Sequence, residues 1–296
     1  MKKIKRLKYI WIVYIIISIM MIIPYVILNN SKPTAKVKQP HKIMVYRNIK
    51  DIPYVKAKAF LLKEINSKDI LYSKELHTKM PPASLTKVMT AVLAIESNRL
   101  NEIVTMPYEA TKVEQFKFGA KEGDKFLMKD LLVATLVSSS NDAATAIAIH
   151  LAGSVEKFAV MMNKKAKELG MKNTNFTNPC GFDIGENVTT VYDLALLSEY
   201  AITLPHFNDI VNYRKVVIYD ISKTKHYNLK THNKLLEYYP YTIGIKTGYT
   251  AKAGPCLIAR AKHNNKDILL IILHSDRGKR WEISKEYFDN ILKVQN

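Results

Sequence analysis

The chain has 296 residues, of which 48% are hydrophobic and 24% charged, enough apolar surface for a full-sized core and too much for a disordered or collagen-like polymer. Two cysteines, Cys180 and Cys256, lie outside any Cys-x-x-Cys or Cys/His cluster, which excludes a disulfide scaffold and a zinc finger. The formal charge of +19 is uneven: the first 50 residues hold 11 Lys or Arg and no acid, leaving 34 basic against 26 acidic residues, and with no ribonucleoprotein or finger pattern nucleic acid is excluded as a partner.

Lys2, Lys3, Lys5, Arg6 and Lys8 precede 20 uncharged, Ile-rich positions, residues 9–28. At about 1.5 Å per residue that run spans about 30 Å, the thickness of a bilayer core. It is longer than the apolar region of a cleaved signal, and Asn29, Asn30, Ser31, Lys32 and Pro33 offer no small-x-small cleavage site. Residues 1–28 are therefore expected to form a retained single-pass signal anchor, a transmembrane helix in the cell membrane, with the rest of the chain on the extracytoplasmic side. Residues 29–56, basic and punctuated by Pro33, Pro40 and Pro53, read as a tether. The alternative is that Ile43, Val45 and Tyr46 begin a first strand.

A globular domain is expected over residues 57–296. Residues 59–64 and 68–72 read as strands joined at Asn66 and Ser67. Apolar residues at three- and four-residue spacing then predict helices over 84–97, 128–137, 142–151, 155–169 and 189–203. Strand patterns return at 215–219, 226–229, 243–247, 255–261 and 267–273, before an amphipathic helix over 279–294. Strands at both ends with a helical block between them predict an α+β domain whose sheet pairs early and late segments.

Three short motifs carry chemistry. Ser84-Leu85-Thr86-Lys87 puts a hydroxyl and an amine on one helix face, a nucleophile and a base. Two other Ser-x-x-Lys matches have plainer readings, Ser154 to Lys157 as a helix N-cap and Ser222 to Lys225 in a polar connection. Ser84 differs in its setting: Pro81, Pro82 and Ala83 lead into a helix almost wholly apolar from Val88 to Ile95. Ser84 then sits at the positive end of a buried helix beside backbone N–H groups, and burial lowers the pKa of Lys87. Ser139-Ser140-Asn141 lies in a break between two helical patterns and by residue type alone reads as capping. Lys246-Thr247-Gly248 closes a strand pattern and is followed by Tyr249; it reads either as a turn or as a strand end that brings its backbone close to an extended substrate, with Lys246 and Thr247 available to a carboxylate.

Taken together, Ser84-x-x-Lys87, Ser139-x-Asn141 and Lys246-Thr247-Gly248 resemble the signature set of the serine penicillin-recognising enzymes. Residues 81–87, 140–144, 177–183 and 244–250 narrow the resemblance to the serine-type D-alanyl-D-alanine carboxypeptidases, over about residues 56–275. The resemblance implies a β-lactamase/transpeptidase-like domain with an antiparallel sheet, hydrolysing the terminal D-Ala-D-Ala bond of a peptidoglycan stem peptide through a Ser84 acyl-enzyme. It implies Lys87 as base, Ser139 as proton relay to the leaving amine, and Asn141 holding Lys87 and the substrate amide. Lys246 and Thr247 would receive the terminal carboxylate, with Gly248 beside them and the backbone N–H groups of Ser84 and Tyr249 as the oxyanion hole. It also implies inhibition by β-lactams and no metal or cofactor. The alternatives on this scaffold are a β-lactamase, a D,D-endopeptidase or a non-catalytic penicillin-sensing, wall-binding domain. Three departures stand out. Cys180 replaces a histidine of many relatives and reads as a small buried residue. Glu168 and Glu186 do not form the loop motif with which class A β-lactamases deacylate. Many relatives continue into a C-terminal β-rich domain and tail helix that are not expected here, the N-terminal span supplying the anchor instead.

Overall fold

The structure, a computed structural model, describes residues 55–292. The expected membrane span and all of the tether but its last two residues lie outside the described residues. Those two already belong to the fold: Val55 is buried, and the Lys56 carbonyl accepts the Asp276 N–H at 3.2 Å.

The central sheet has five antiparallel strands in the order β2-β1-β9-β8-β7: β1 Ala57–Glu64, β2 Ile70–Lys74, β7 Thr242–Thr250, β8 Gly254–His263 and β9 Lys266–Ser275. The first strand thus pairs with the last, as the sequence predicts. The near-continuous apolar runs of β1, β8 and β9 follow from burial on both faces. Ala59, Leu61, Ile258, Leu269, Ile271 and Leu273 point into a core shared with the helical block. Their alternates Phe60, Leu62, Leu257, Ala259, Leu270 and Ile272 point into a second core. That second core is closed by α9 Lys279–Leu292, through Ile283, Tyr287, Phe288 and Leu292, and by Leu235 of the one-turn α8 Leu235–Tyr238.

The helical block is built around α1 Lys87–Glu96, whose residues 87–95 are all buried. Around it stand α3 Met128–Val137, α4 Asn141–Ala152, α5 Val155–Glu168 and α6 Val191–Ala201. Two expectations need correction. The segments 215–219 and 226–229 do form strands, β5 Lys215–Tyr219 and β6 His226–Lys230, yet they pair only with each other and stay out of the main sheet. Short elements that carry no sustained apolar period also appear: the paired β3 Ile103–Thr105 and β4 Lys125–Leu127, α2 Tyr108–Lys112 and α7 Phe207–Val211.

Candidate active site

Ser84 lies in one 3-10 turn, Ala83–Thr86, that precedes α1, so it stands a turn ahead of the α-helix rather than at its first residue. In 3-10 geometry side chains at i and i+3 nearly eclipse, and Lys87 Nζ is 2.9 Å from Ser84 Oγ. Ala83 holds a left-handed φ of 49°, a conformation that costs a non-glycine residue on the order of 1 kcal/mol. Two neighbours press the turn into place. A Cβ on Gly248 of β7 would stand 3.2 Å from Ser84 N, and a Cβ on Gly181, whose φ is 92°, would fall 1.8 Å from the Ala83 carbonyl oxygen. At Gly181 only glycine permits this approach, and at Gly248 any side chain would press on the turn.

Lys87 has no exposed surface. Besides Ser84 Oγ, its amine reaches Asn141 Oδ1 at 2.6 Å and the Cys180 carbonyl at 2.8 Å. Burial draws its pKa from the ordinary lysine value down to about 8, against the opposing pull of Cys180 and Asp142. The three partners can each accept from the ammonium; once the amine is neutral, its two N–H groups can stay on Asn141 and Cys180, and its lone pair faces the Ser84 hydroxyl.

Asn141 opens α4, and its orientation is fixed by Nδ2, which donates to the Glu114 and Gln115 carbonyls at 3.0 and 3.1 Å. The capping reading of this tripeptide does not hold for its side chains: Ser140 occupies the N-cap without a side-chain cap bond, its hydroxyl meeting Ser138 Oγ at 2.8 Å. Ser139, with φ 59°, opens instead onto the cleft. Cys180 is buried as expected, its thiol donating to the Asn141 carbonyl at 3.4 Å and pushed up in pKa by burial.

Lys246, Thr247 and Gly248 stand inside β7, which runs on to Thr250, and not at its end. Lys246 is 2% exposed and donates to the Thr247 carbonyl at 3.1 Å. Burial first, then the charges of Lys87 and Arg280, hold its pKa well below the usual lysine range. Ser84, Ser139, Thr247, Gly248 and Tyr249 share one cleft of about 370 Å³, and Lys87, Asn141 and Lys246 support its walls. The two other Ser-x-x-Lys serines stay out of it: Ser154 Oγ accepts the Lys157 N–H at 3.2 Å as an N-cap, and Ser222 donates to Asp220.

Several contributors carry no sequence signal. The Cys180 carbonyl is a backbone group, presented by a loop in which Asn178 Oδ1 accepts the N–H groups of Cys180, Gly181 and Phe182 at 3.1, 2.8 and 3.0 Å. Arg280, from α9, donates from Nη1 to the carbonyls of Gly248 at 3.0 Å and Cys256 at 3.3 Å, bracing β7 against β8 at a paired position. Phe116 and His232 meet edge to face at the rim with ring centroids 5.6 Å apart. Burial, then the charges of Lys246, Arg280 and Lys87, lower the pKa of His232.

The D-alanyl-D-alanine carboxypeptidase family of peptidases, S11, matches residues 46–277. The D-alanyl-D-alanine carboxypeptidase DacF of Bacillus subtilis is 31% identical over 228 residues, 75% of this chain and 58% of that protein. The chain spans about three fifths of the length of the first curated relatives it matches. A mutant of the Streptomyces K15 DD-transpeptidase superposes with a TM-score of 0.78 at 26% identity, over 82% of this chain and all of that one. Penicillin-binding protein D2 of Listeria monocytogenes, in its ampicillin-bound form, gives 0.72 at 29% identity over 81% of this chain and 99% of that one. With the family matching more than three quarters of its length, this chain belongs to the D-alanyl-D-alanine carboxypeptidases.

Proposed function

We propose that the chain hydrolyses the terminal D-Ala-D-Ala bond of peptidoglycan stem peptides through an acyl-enzyme on Ser84, releasing D-alanine. The observation that carries this reading is the fully buried Lys87 amine, 2.9 Å from Ser84 Oγ and lowered in pKa to about 8. A base poised near working pH can take the Ser84 proton as the hydroxyl attacks. Ser139, on the same cleft, returns a proton to the leaving amine, and Asn141 holds Lys87 in line. Lys246 and Thr247 receive the terminal carboxylate. The N–H groups of Ser84 and Tyr249, one in the clamped turn and one on β7, stabilise the tetrahedral oxyanion.

β-Lactams enter the same chemistry as acylating inhibitors. The residues lining the described cleft include no Asp or Glu to activate a deacylating water, which supports a long-lived penicillin adduct over lactam turnover. Incubation with labelled penicillin should place the label on Ser84, and pentapeptide-containing wall fragments should yield free D-alanine. Label retained by a folded Ser84→Ala protein, or fragments left intact, would overturn the reading.

The uncharged run at residues 9–28 supports retention in the membrane with the catalytic domain outside. N-terminal sequencing of the mature protein should begin at the start of the chain; a terminus between residues 30 and 39 would show that the span is removed.

A further inference from the structure

The cleft contains more positive charge than one terminal carboxylate requires. Lys246 is buried behind Thr247, and Arg280, which also lines the cleft, is half-buried and held in place by its Nη1 bonds to the Gly248 and Cys256 carbonyls. Arg277 is different. It lines the same cleft, is exposed, and forms no hydrogen bond or ion pair with any described residue. Its sequence neighbour Asp276 forms no ion pair with it and lines a separate cavity with Lys56, Lys58, Lys74 and Glu75.

Position along β7 says which part of a substrate Arg277 meets. Thr247 pairs with Leu257, Gly248 with Cys256, and Tyr249 with Pro255, so these pairs step towards one end of the sheet. Gly248 is the step that abuts Ser84 N. Pro255 stands opposite Tyr249, and β9, whose Ile272 pairs with Leu257, runs past the level of Pro255 before it ends at Ser275, so Arg277 and Gly278 come to the cleft from the Tyr249 end, away from Lys246. An extended peptide advances about 3.3 Å per residue. With its terminal carboxylate at Thr247 and its scissile carbonyl at Ser84, the next residue back lies past Tyr249, beside Arg277.

We infer that Arg277 is a specificity-determining residue that recognises a second carboxylate, carried by the side chain of the residue preceding the D-Ala-D-Ala pair. The preferred stem peptide on this inference has a diamino acid with a free side-chain carboxylate at that position, in preference to its carboxamide or to a lysine. The inference rests on the D,D-carboxypeptidase reading above. A guanidinium suits the role because it presents paired donors to a carboxylate and keeps its charge at every working pH.

The test compares three synthetic stem peptides that end in D-Ala-D-Ala and differ only in the preceding residue: a diaminodicarboxylic acid, its carboxamide, and lysine. Release of D-alanine by the full chain gives kcat/KM for each. The carboxylate form should be preferred over the carboxamide by about threefold to fivefold, the range of a partly exposed ion pair, with lysine lowest. The preference should shrink as salt rises from about 0.05 to 0.5 M, as screening requires. Arg277→Gln should bring the carboxylate-to-carboxamide ratio close to one, Arg277→Lys should keep part of it, and Arg277→Glu should reverse the order in favour of lysine. Equal release from all three peptides, or a preference that survives Arg277→Gln, would overturn the inference and leave the carboxypeptidase reading standing. Release from none would overturn that reading, and this inference with it.

Discussion

If Lys87 is the base of the proposed mechanism, it sets the pH at which the site can work. Its ammonium is penalised by complete burial, so the neutral amine is reached near pH 8 instead of the ordinary lysine range. The sign follows from its role: only the deprotonated amine accepts the Ser84 proton, so acylation by penicillin should rise with pH, about tenfold between pH 7 and 9 for a single group at that pKa. Lys246, as the proposed carboxylate partner, should act in the opposite sense, since losing its proton would remove charge that the carboxylate needs. Its pKa is also lowered and the two ammoniums repel, so the profile should be a bell whose limbs belong to the pair. Rapid-quench acylation across pH checks this. A folded Lys87→Ala protein should acylate about 10²–10⁴-fold slower at every pH, the usual worth of a positioned base. Lys246→Ala should mainly weaken carboxylate-bearing ligands. Near-normal acylation by Lys87→Ala would leave the amine without a catalytic part.

Between residue and fold stand the elements that carry the site, a 3-10 turn, a loop and a strand packed against one another. Gly181 is where they are tightest. A methyl group there meets the Ala83 carbonyl at 1.8 Å and forces a side chain into a φ of 92°. Gly181→Ala should therefore cost about 2–4 kcal/mol, read as a lower urea midpoint at unchanged m, and should slow acylation because the displaced turn is the one that bears Ser84. A midpoint within experimental error of the parent would show that the loop simply yields. This level also separates what the sequence makes legible from what it hides. The strand 215–219 and the helix 128–137 have the predicted bounds because in each an apolar run stops at polar residues, Asp220 after the strand and Ser138 after the helix. The three motifs proposed to carry the chemistry are legible because they consist of side chains at short fixed spacing. The 3-10 turn is not legible, since a helical period does not distinguish its start from that of the α-helix that follows. The Cys180 carbonyl and the Arg280 brace are hidden for a different reason: one is a backbone atom and the other comes from 34 positions beyond Lys246, so only the folded sheet brings them to the site.

At the scale of the whole molecule, the site depends on a sheet that serves two cores. Successive residues of β1, β8 and β9 alternate between them, Leu61 facing the helical block and Phe60 and Leu62 facing α9. The helical block supplies Lys87 and Asn141, β7 supplies Lys246 to Tyr249, and α9 supplies Arg280, which ties β7 to β8. Damage to the second core should then reach the active site only by unfolding the common sheet. Phe288 tests this, because it is fully buried in α9, distant in chain from every proposed catalytic group, and stacked 5.8 Å from Tyr239. Phe288→Ala should cost about 3–5 kcal/mol, the usual range for a buried phenylalanine, or about 10 °C in Tm for a domain of this size. Of the two tryptophans, Trp281 is the one within the described fold, on α9 beside the second core, so its fluorescence reports that layer while penicillin labelling reports the cleft. In the parent and in Phe288→Ala alike the two signals should be lost in one coincident transition, shifted together to lower temperature. Fluorescence lost at a temperature where labelling persists would mean that α9 peels from the sheet on its own, and that Arg280 can leave β7 without closing down the site.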